Sequence, residues 1–481
     1  MKSAVFYGTV LLISALLYHH KIFANDIWKA LYTGRFIALQ GYLPDHVQFT
    51  FSPTRSTVLR QSFNWLGNVF FYGLHSATGV IGLQLFKYFI IILSVILLHS
   101  LFEWEVNHYV FAIFLIFIIG IGQKLNIRNA IFMVPFMLTM WVMLKQFFCD
   151  RNIQWLFGLP IIFMLWSNIH GSFLAGWGLS FLVLIGLMVD YSLNRTSISL
   201  KTIVIFGLVV VLGFVTVTWV KPHPDPQGYK LIQTMIPFLS SASINARQDY
   251  STSEINQPKT ERTNKSWYQY VKSFMQSTIF DMGGFRSGEY SFPLDSPQYL
   301  FIRVSGLLLI TTIFWIVIDP FSWRWYEITP IVASGLIGMG YIVTVALIPL
   351  TIIPIMGIKL RRGDFEELEL SYSLGNLVGL ISVAFVLFII YHAFAGSLLQ
   401  VTGRTIEEYG WGIHSRFSTK VPPYIKKHHP DKRYYNTYNI GSWLIWKWWP
   451  EKRVFIDSKS SAYKLDFLRK YDRTEPHRIV K

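Results

Sequence analysis

Charge is scarce in this sequence and cysteine nearly absent. Only 15% of the 481 residues are charged, against about 25% in a soluble globular chain. The single cysteine, Cys149, excludes an intrachain disulfide. The sequence also lacks a P-loop, a Gly-x-Gly-x-x-Gly loop and a His-Glu-x-x-His pair, so nothing supports ATP-driven transport or zinc-protease chemistry. No internal repeat or low-complexity tract is present. Acidic residues are the scarcer sign: 27 Asp+Glu stand against 43 Lys+Arg, a formal charge of +16.

What the chain has instead is apolar. Hydrophobic residues make up 52% and aromatics 17%, and the mean hydropathy is +0.38. This excludes a disordered chain and argues against an ordinary soluble enzyme. The apolar residues gather into blocks long enough to cross a bilayer: 4–24, 80–101, 109–123, 130–148, 155–169, 173–191, 203–220, 301–318, 328–348, 351–360 and 374–394. The sequence therefore predicts an all-α polytopic membrane protein with about eleven transmembrane helices. The first block shows no small-residue cleavage site and reads as an anchor rather than a removed signal.

Three segments fall outside the spans: a first loop at 25–79, a second loop at 221–299, and a tail at 396–481. Lys145, Arg151, Arg195, Lys201, Lys359, Arg361 and Arg362 gather in one set of short loops. Lys29, Arg35, Arg55, Arg60, Lys124 and Arg128 gather in the other. Counting cations as cytoplasmic favours a cytoplasmic N-terminus, which puts all three long segments on the outer face. Residues 1–395 then form a transmembrane module and 396–481 a small extracytoplasmic α/β domain. In that tail, residues 454–456 read as a buried strand ending at Asp457. The basic residues facing outward need a reason of their own. With no compact basic domain, nucleic acid is excluded, and anionic lipid or a lipid-linked phosphate fits better.

Residues 26–40 carry a helical pattern suited to the membrane interface, with Trp28 and Tyr32 as anchors. Residues 63–76 read as a second interfacial helix. Asp26 can serve as the N-cap of its helix or as a general base or metal ligand. Asp45 reads as an ordinary residue of a Pro-Asp turn or as a second general base or ligand, and His46 beside it reads as a surface histidine or a ligand contact. Arg128 lies in a short outer turn, where its guanidinium can hold a phosphate bidentately or reach lipid headgroups. His170, at another short outer turn, is a phosphate or sugar contact or a packed polar group. Lys221, His223 and Asp225 alternate with three prolines, as a rigid hairpin or as a presented site. Lys87 lies inside a span, where a charge marks function or snorkels to the surface. Ser334, Gly335, Gly338 and Gly340 mark close helix packing. The tryptophans Trp443, Trp446, Trp448 and Trp449 suit packing onto the bilayer surface, or stacking on sugar rings.

An aspartate at the outer end of the first span, followed by two interfacial helices, resembles the GT-C superfamily of polytopic glycosyltransferases. Further stretches carry the likeness: Asp26-Ile27-Trp28 with Thr33-Gly34-Arg35, Gly41-Tyr42-Leu43-Pro44-Asp45, Trp166-Ser167-Asn168-Ile169-His170-Gly171-Ser172-Phe173, Tyr435-Asn436-Thr437-Tyr438-Asn439-Ile440-Gly441-Ser442-Trp443-Leu444 and Val454-Phe455-Ile456-Asp457. The superfamily includes protein mannosyltransferases, the lipid A aminoarabinose transferase and oligosaccharyltransferases. The sequence departs from the pattern after the tail strand, where Asp457-Ser458-Lys459 replaces Asp-Gly-Arg, and the tail is expected to be shortened.

The resemblance implies a membrane glycosyltransferase of the bacterial inner membrane. It would move a sugar from a polyprenyl-phosphate or -diphosphate carrier to a protein or glycan acceptor on the extracytoplasmic face. Asp26 and Asp45 would be catalytic. Arg128, His170, Lys221, Arg35, His46 and Asp225 would contact substrate or phosphate, and a divalent metal is a possible cofactor. The competing reading is a non-catalytic membrane subunit or lipid-carrier transporter, with the outer loops as a docking scaffold for a membrane complex.

Overall fold

The computed structural model describes residues 3–40, 49–52, 64–102, 108–219, 298–340, 345–361, 372–394, 408–430, 432–458, 463, 467 and 471. Asp45 and His46, and Lys221, His223 and Asp225 in the second loop, lie outside the described residues. The described chain is built of helices. They are α1 (Ser3–Tyr18), α2 (Asn25–Gln40), α3 (Trp65–Phe102), α4 (His108–Gly120), α5 (Met133–Cys149), α6 (Gly158–Ile169) and α7 (Phe173–Ser192), then α8 (Leu200–Trp219), α9 (Gln298–Ile318), α10 (Trp325–Gly340), α11 (Leu347–Arg361), α12 (Tyr372–Phe394), α13 (Val421–His428) and α14 (Tyr438–Trp448).

Among the described residues, three helical stretches are long and apolar enough to cross a bilayer: Trp65–Phe102, Asn129–Cys149 and Phe173–Ser192. Shorter apolar helices run over Val5–Tyr18, Val110–Gly120, Ile153–Ile169, Leu200–Thr216, Val304–Ile318 and Leu380–His392. On α3, Ile81, Leu85, Phe89, Ile92 and Ile96 are all more than 40% exposed and recur every three or four residues. The opposite stripe, with Ile90, Ile91, Ser94 and Leu98, is buried. Water would not stabilise such an exposed apolar stripe, whereas acyl chains do. The chain is an integral membrane protein.

Helix α3 unites what the sequence divides into an interfacial helix and a span. The break between them survives as a kink at Gly79, with φ +66° and ψ −157°. A Cβ there would meet nothing within 4 Å, so it is the backbone angle and not crowding that requires glycine. The first half of α3 thereby turns away from the span and lies along α2. At that crossing Gly34 allows the helices to touch, because a Cβ on it would sit 2.1 Å from the Asn68 carbonyl oxygen. In the bundle, Gly335 and Gly338 of α10 abut Leu309 and Ile348, the close packing expected of that small-residue stretch.

Lys87 neither snorkels nor joins a site. It is fully buried, and its ammonium donates to the Tyr18 carbonyl at the end of α1, where a cation complements the helix dipole. One turn earlier on α3, the Gln84 carboxamide donates to the carbonyls of His20 (3.1 Å) and Gly410 (3.2 Å) and accepts from Gly412 N–H (2.8 Å). These bonds fasten the tail to the chain that leaves α1.

The tail packs directly on α2. Trp28 of α2 meets Trp443 of α14 edge-on, 4.4 Å between centroids, and both indoles are buried. Asn25 Nδ2 donates to Asn439 Oδ1 at 3.1 Å. Deeper in this contact, the Asp457 carboxylate is fully buried and accepts from the Tyr32 hydroxyl (2.5 Å) and the Tyr463 hydroxyl (2.6 Å). Burial and then the Asp457 charge hold both phenols well above their ordinary range. Residues 454–456 differ from the expected strand. Among the described residues there is no strand, and Val454 forms an isolated parallel bridge to Thr50. Its N–H donates to the Phe49 carbonyl at 3.0 Å and its carbonyl accepts from Phe51 N–H at 3.0 Å. Asn436 takes over further pairing, accepting from Phe455 N–H at 2.8 Å and donating to the Ile456 carbonyl at 2.7 Å. Among the described residues, the expected strand is thus replaced by one bridge to the first loop and by side-chain bonds from Asn436 and Ser52.

Two substitutions test this account. Gly34→Ala forces a methyl group against backbone and is expected to cost about 1–3 kcal/mol, read as a lower melting temperature in detergent. Gly8→Ala, where a Cβ meets nothing within 4 Å, should leave melting unchanged. Asp457→Asn weakens charge-assisted bonds to two phenols and should cost about 1.5–3 kcal/mol, with faster proteolysis of the tail than in Tyr32→Phe, which removes only one of them.

Candidate functional site

Asp26 stands in the first turn of α2, a few residues past the end of α1. The N-cap alternative does not describe it, because its oxygens go to side chains. Oδ1 pairs with Lys29 Nζ at 2.8 Å, one turn along the same helix face. Oδ2 faces Arg128 Nη1 at 3.6 Å. The carboxylate is set into protein yet keeps 38% of its side-chain surface open, against 17% for Arg128. Burial works against ionisation of Asp26, but Lys29 and then Arg128 outweigh it and hold the carboxyl down to about 2. It is a carboxylate at any working pH.

Arg128 is positioned by a tight double turn. It lies between the short 3-10 turns Gly122–Leu125 and Asn129–Phe132, in extended conformation, which projects its side chain across to α2. Its Nε is buried without a hydrogen-bond partner, an unspent donor beside the carboxylate. Asn129 next to it donates to Asn68 Oδ1 at 2.7 Å, so the same α3 segment that carries α2 also holds this turn.

His170 caps the end of α6 in extended conformation. Its Nδ1 accepts from Ser172 N–H at 3.1 Å and lies 2.8 Å from Ser172 Oγ, and Ser172 Oγ in turn accepts from Trp166 Nε1 at 3.0 Å. A backbone donor on Nδ1 leaves the ring proton on Nε2. Burial first, then Lys124 and Arg128, push the imidazole down to about 3, with Asp26 opposing them. His170 is therefore a neutral N–H donor within the field of the same charges. Trp65 of α3 donates to Asn168 Oδ1 at 2.7 Å and ties this turn to the others.

The structure thus brings Asp26, Arg128 and His170 together and adds Lys29 and Lys124. Lys29 was overlooked in the sequence, although the i,i+3 spacing to Asp26 was its signal. Arg35 does not join them. Nine residues along a helix amount to half a turn beyond two, so Arg35 faces the tail. There its guanidinium lies 5.9 Å from the Trp446 ring centre and 5.6 Å from that of Trp449. Trp443, Trp446 and Trp449 of the tail pack against α2 and its arginine, whereas Trp448 packs within the tail.

The described residues do not fit a dedicated divalent-metal site. No group of three His, Cys, Asp or Glu lies together among them, and cations already flank both oxygens of Asp26.

No family model matches the sequence, and no curated protein matches it. Among solved structures, the chain is similar to the oligosaccharyltransferase of Archaeoglobus fulgidus in its apo form, with TM-score 0.56 and 11% identity over 95% of this chain. A second structure of that enzyme, in complex with Zn and sulfate, gives a TM-score of 0.48 and 12% identity over 94% of this chain. The chain spans 65% of the length of the apo enzyme and 62% of the second. The likeness to the apo enzyme is one of fold, in line with the helical membrane architecture expected from the sequence.

The neutral imidazole has a measurable signature. The unfolded chain protonates His170 near 6.5, whereas the folded one resists until about 3, so the unfolded state binds more protons in between and stability falls as pH drops through that window. Asp26 adds to the same trend only below its ordinary 3.8, its stabilisation being lost as pH falls toward about 2. Between pH 7 and 5, melting temperature is expected to fall, and His170→Gln should flatten that fall.

Proposed function

We propose that this protein is a membrane glycosyltransferase that moves a sugar from a polyprenyl-phosphate or -diphosphate carrier to a hydroxyl or amide acceptor on the extracytoplasmic side. The observation that carries this reading is the ionised, half-open Asp26 set against Arg128 and a neutral His170 at the end of α1. The likeness in fold to the Archaeoglobus fulgidus oligosaccharyltransferase supports it.

In this reading the carrier phosphate enters beside Arg128, which accepts it through its guanidinium, with the unspent Nε available. His170 donates its Nε2 proton to a phosphate oxygen. Asp26 accepts a hydrogen bond from the acceptor O–H or N–H and orients its lone pair on the anomeric carbon. The new C–O or C–N bond forms as the anomeric C–O(phosphate) bond breaks, and the leaving phosphate takes that electron pair. A carboxylate near 2 is a weak base, so the acceptor proton passes to it late, once attack has made the acceptor acidic. The cations stabilise the charge that develops on the leaving phosphate.

Asp26→Asn keeps the size and removes the charge. Transfer from lipid-linked sugar to acceptor should drop by roughly 10²–10⁴-fold, with unchanged expression and melting within about 1 kcal/mol. Undiminished transfer would remove Asp26 from this role. Absence of transfer in the parent protein, together with a stably co-purifying partner, would favour the docking-scaffold reading.

A further inference from the structure

We propose that residues 409–428 dock the tail on the surface of an anionic bilayer, with Tyr409 and Trp411 at the depth of the headgroups and Lys420, Tyr424 and Lys427 of α13 laid against lipid phosphates. The inference concerns the tail and stands apart from sugar transfer.

The tail tryptophans that suit the bilayer in the sequence are used elsewhere. Trp443 and Trp448 are buried, and Trp446 and Trp449 lie against Arg35. Among the described residues of the tail, the large apolar side chains left exposed all fall within this one stretch: Tyr409, Trp411, Val421 and Tyr424. Trp411 is 47% exposed, yet its backbone is firmly held. It stands between Gly410 (φ +106°) and Gly412 (φ +98°), angles that glycine adopts without cost from a Cβ. Gly410 N–H donates to the His19 carbonyl at 3.2 Å, and Gly412 N–H donates to Gln84 Oε1 at 2.8 Å. The Trp411 ring lies 5.1 Å from that of His19 and 6.1 Å from that of Tyr88.

These contacts give Trp411 a depth. Helix α1 stops at Tyr18, and the chain passes into His19-His20-Lys21, so polar groups resume at this level. Tyr88 stands beside Phe89, a member of the lipid-facing stripe of α3. Trp411 therefore continues a surface that already meets lipid, at the edge of the span, where tryptophan and tyrosine are most stable.

Helix α13 follows eight residues later. Pro422 is buried, its carbonyl accepts from Trp448 Nε1 at 3.1 Å, and Ile425 packs on the core. Those residues define the inner side of the helix. Lys426 lies at its margin, paired with Glu451 at 2.7 Å. The outer side carries Lys420, Tyr424 and Lys427, spaced i, i+4 and i+7 along one stripe, and all three are exposed. The His428 ring stacks 4.6 Å from that of Tyr424. A short helix with apolar residues turned inward and lysines flanking a tyrosine outward matches a headgroup layer better than water. Charge agrees, since the tail holds more than twice as many Lys+Arg as Asp+Glu, and anionic lipid attracts each lysine near its surface.

The test uses the full-length protein carrying Cys149→Ala and Val421→Cys, spin-labelled at the one remaining thiol. It is placed in nanodiscs of phosphatidylcholine, with or without phosphatidylglycerol. Accessibility to oxygen and to a nickel chelate, read by electron paramagnetic resonance, reports the depth of the label. With phosphatidylglycerol the label should lie at the lipid–water boundary. Lys420→Gln combined with Lys427→Gln should return it to water, and arginine at both positions should keep it in place, which separates charge from folding. Trp411→Gln should also move the label toward water with both lysines intact. In native mass spectrometry, the preference for phosphatidylglycerol over phosphatidylcholine should fall about fivefold for each lysine removed. A label open to water in the parent protein with phosphatidylglycerol present would overturn the proposal. So would a double glutamine variant that keeps both the depth and the lipid preference. A label shielded in native membranes but open to water in anionic nanodiscs would assign this face to a protein partner and likewise overturn it.

Discussion

Helix α2 has to satisfy two surfaces at once, and the site exists because it does. One face carries Asp26, Lys29 and Gly34 toward α3 and the Arg128 turn. The other carries Asn25, Trp28, Tyr32 and Arg35 toward the tail. The contact at Gly34 sets how near α2 approaches α3, and the buried Tyr32–Asp457 bond sets how the tail presses from the other side. Release of either would let α2 roll, and a roll of one residue, about 100°, would carry Asp26 away from Arg128.

The same economy governs the basic residues elsewhere. Lys145 and Lys359 are fully buried. Lys145 donates to the Ser100 carbonyl at 2.7 Å, and Lys359 donates to the Ser322 carbonyl and lies over the Trp323 ring. Arg195 donates to the carbonyls of Phe321 and Trp323, each at 3.0 Å. With few charges and much lipid, helix ends are tied by cations to carbonyls that would otherwise be unsatisfied. Cations that count toward topology in the sequence thus serve as internal ties, which explains why the two loop sets nearly balance.

Much of the site was legible locally. Asp26, Arg128 and His170 each announce themselves as a polar group in a short turn between apolar blocks, and the structure gathers those three. Arg35 was drawn in by proximity in sequence, although helical phase sends it to the tail. Asp457 reads as the end of a strand, yet it is a buried acceptor for two tyrosines, one from a helix 425 positions away. No local pattern reveals such a bond, because its two partners meet only when the tail folds back on the first loop.

The sequence by itself determined that the chain belongs in lipid and which segments are apolar helices. Those properties follow from composition and period, which depend on neighbours along the chain. Tertiary structure alone decided that Lys29 and Arg128 share one carboxylate, that His170 is a neutral donor with its proton on Nε2, and that Lys87 caps α1. Ionisation and pairing depend on which groups meet across turns far apart in sequence and how much water remains between them, and only the packed bundle fixes both.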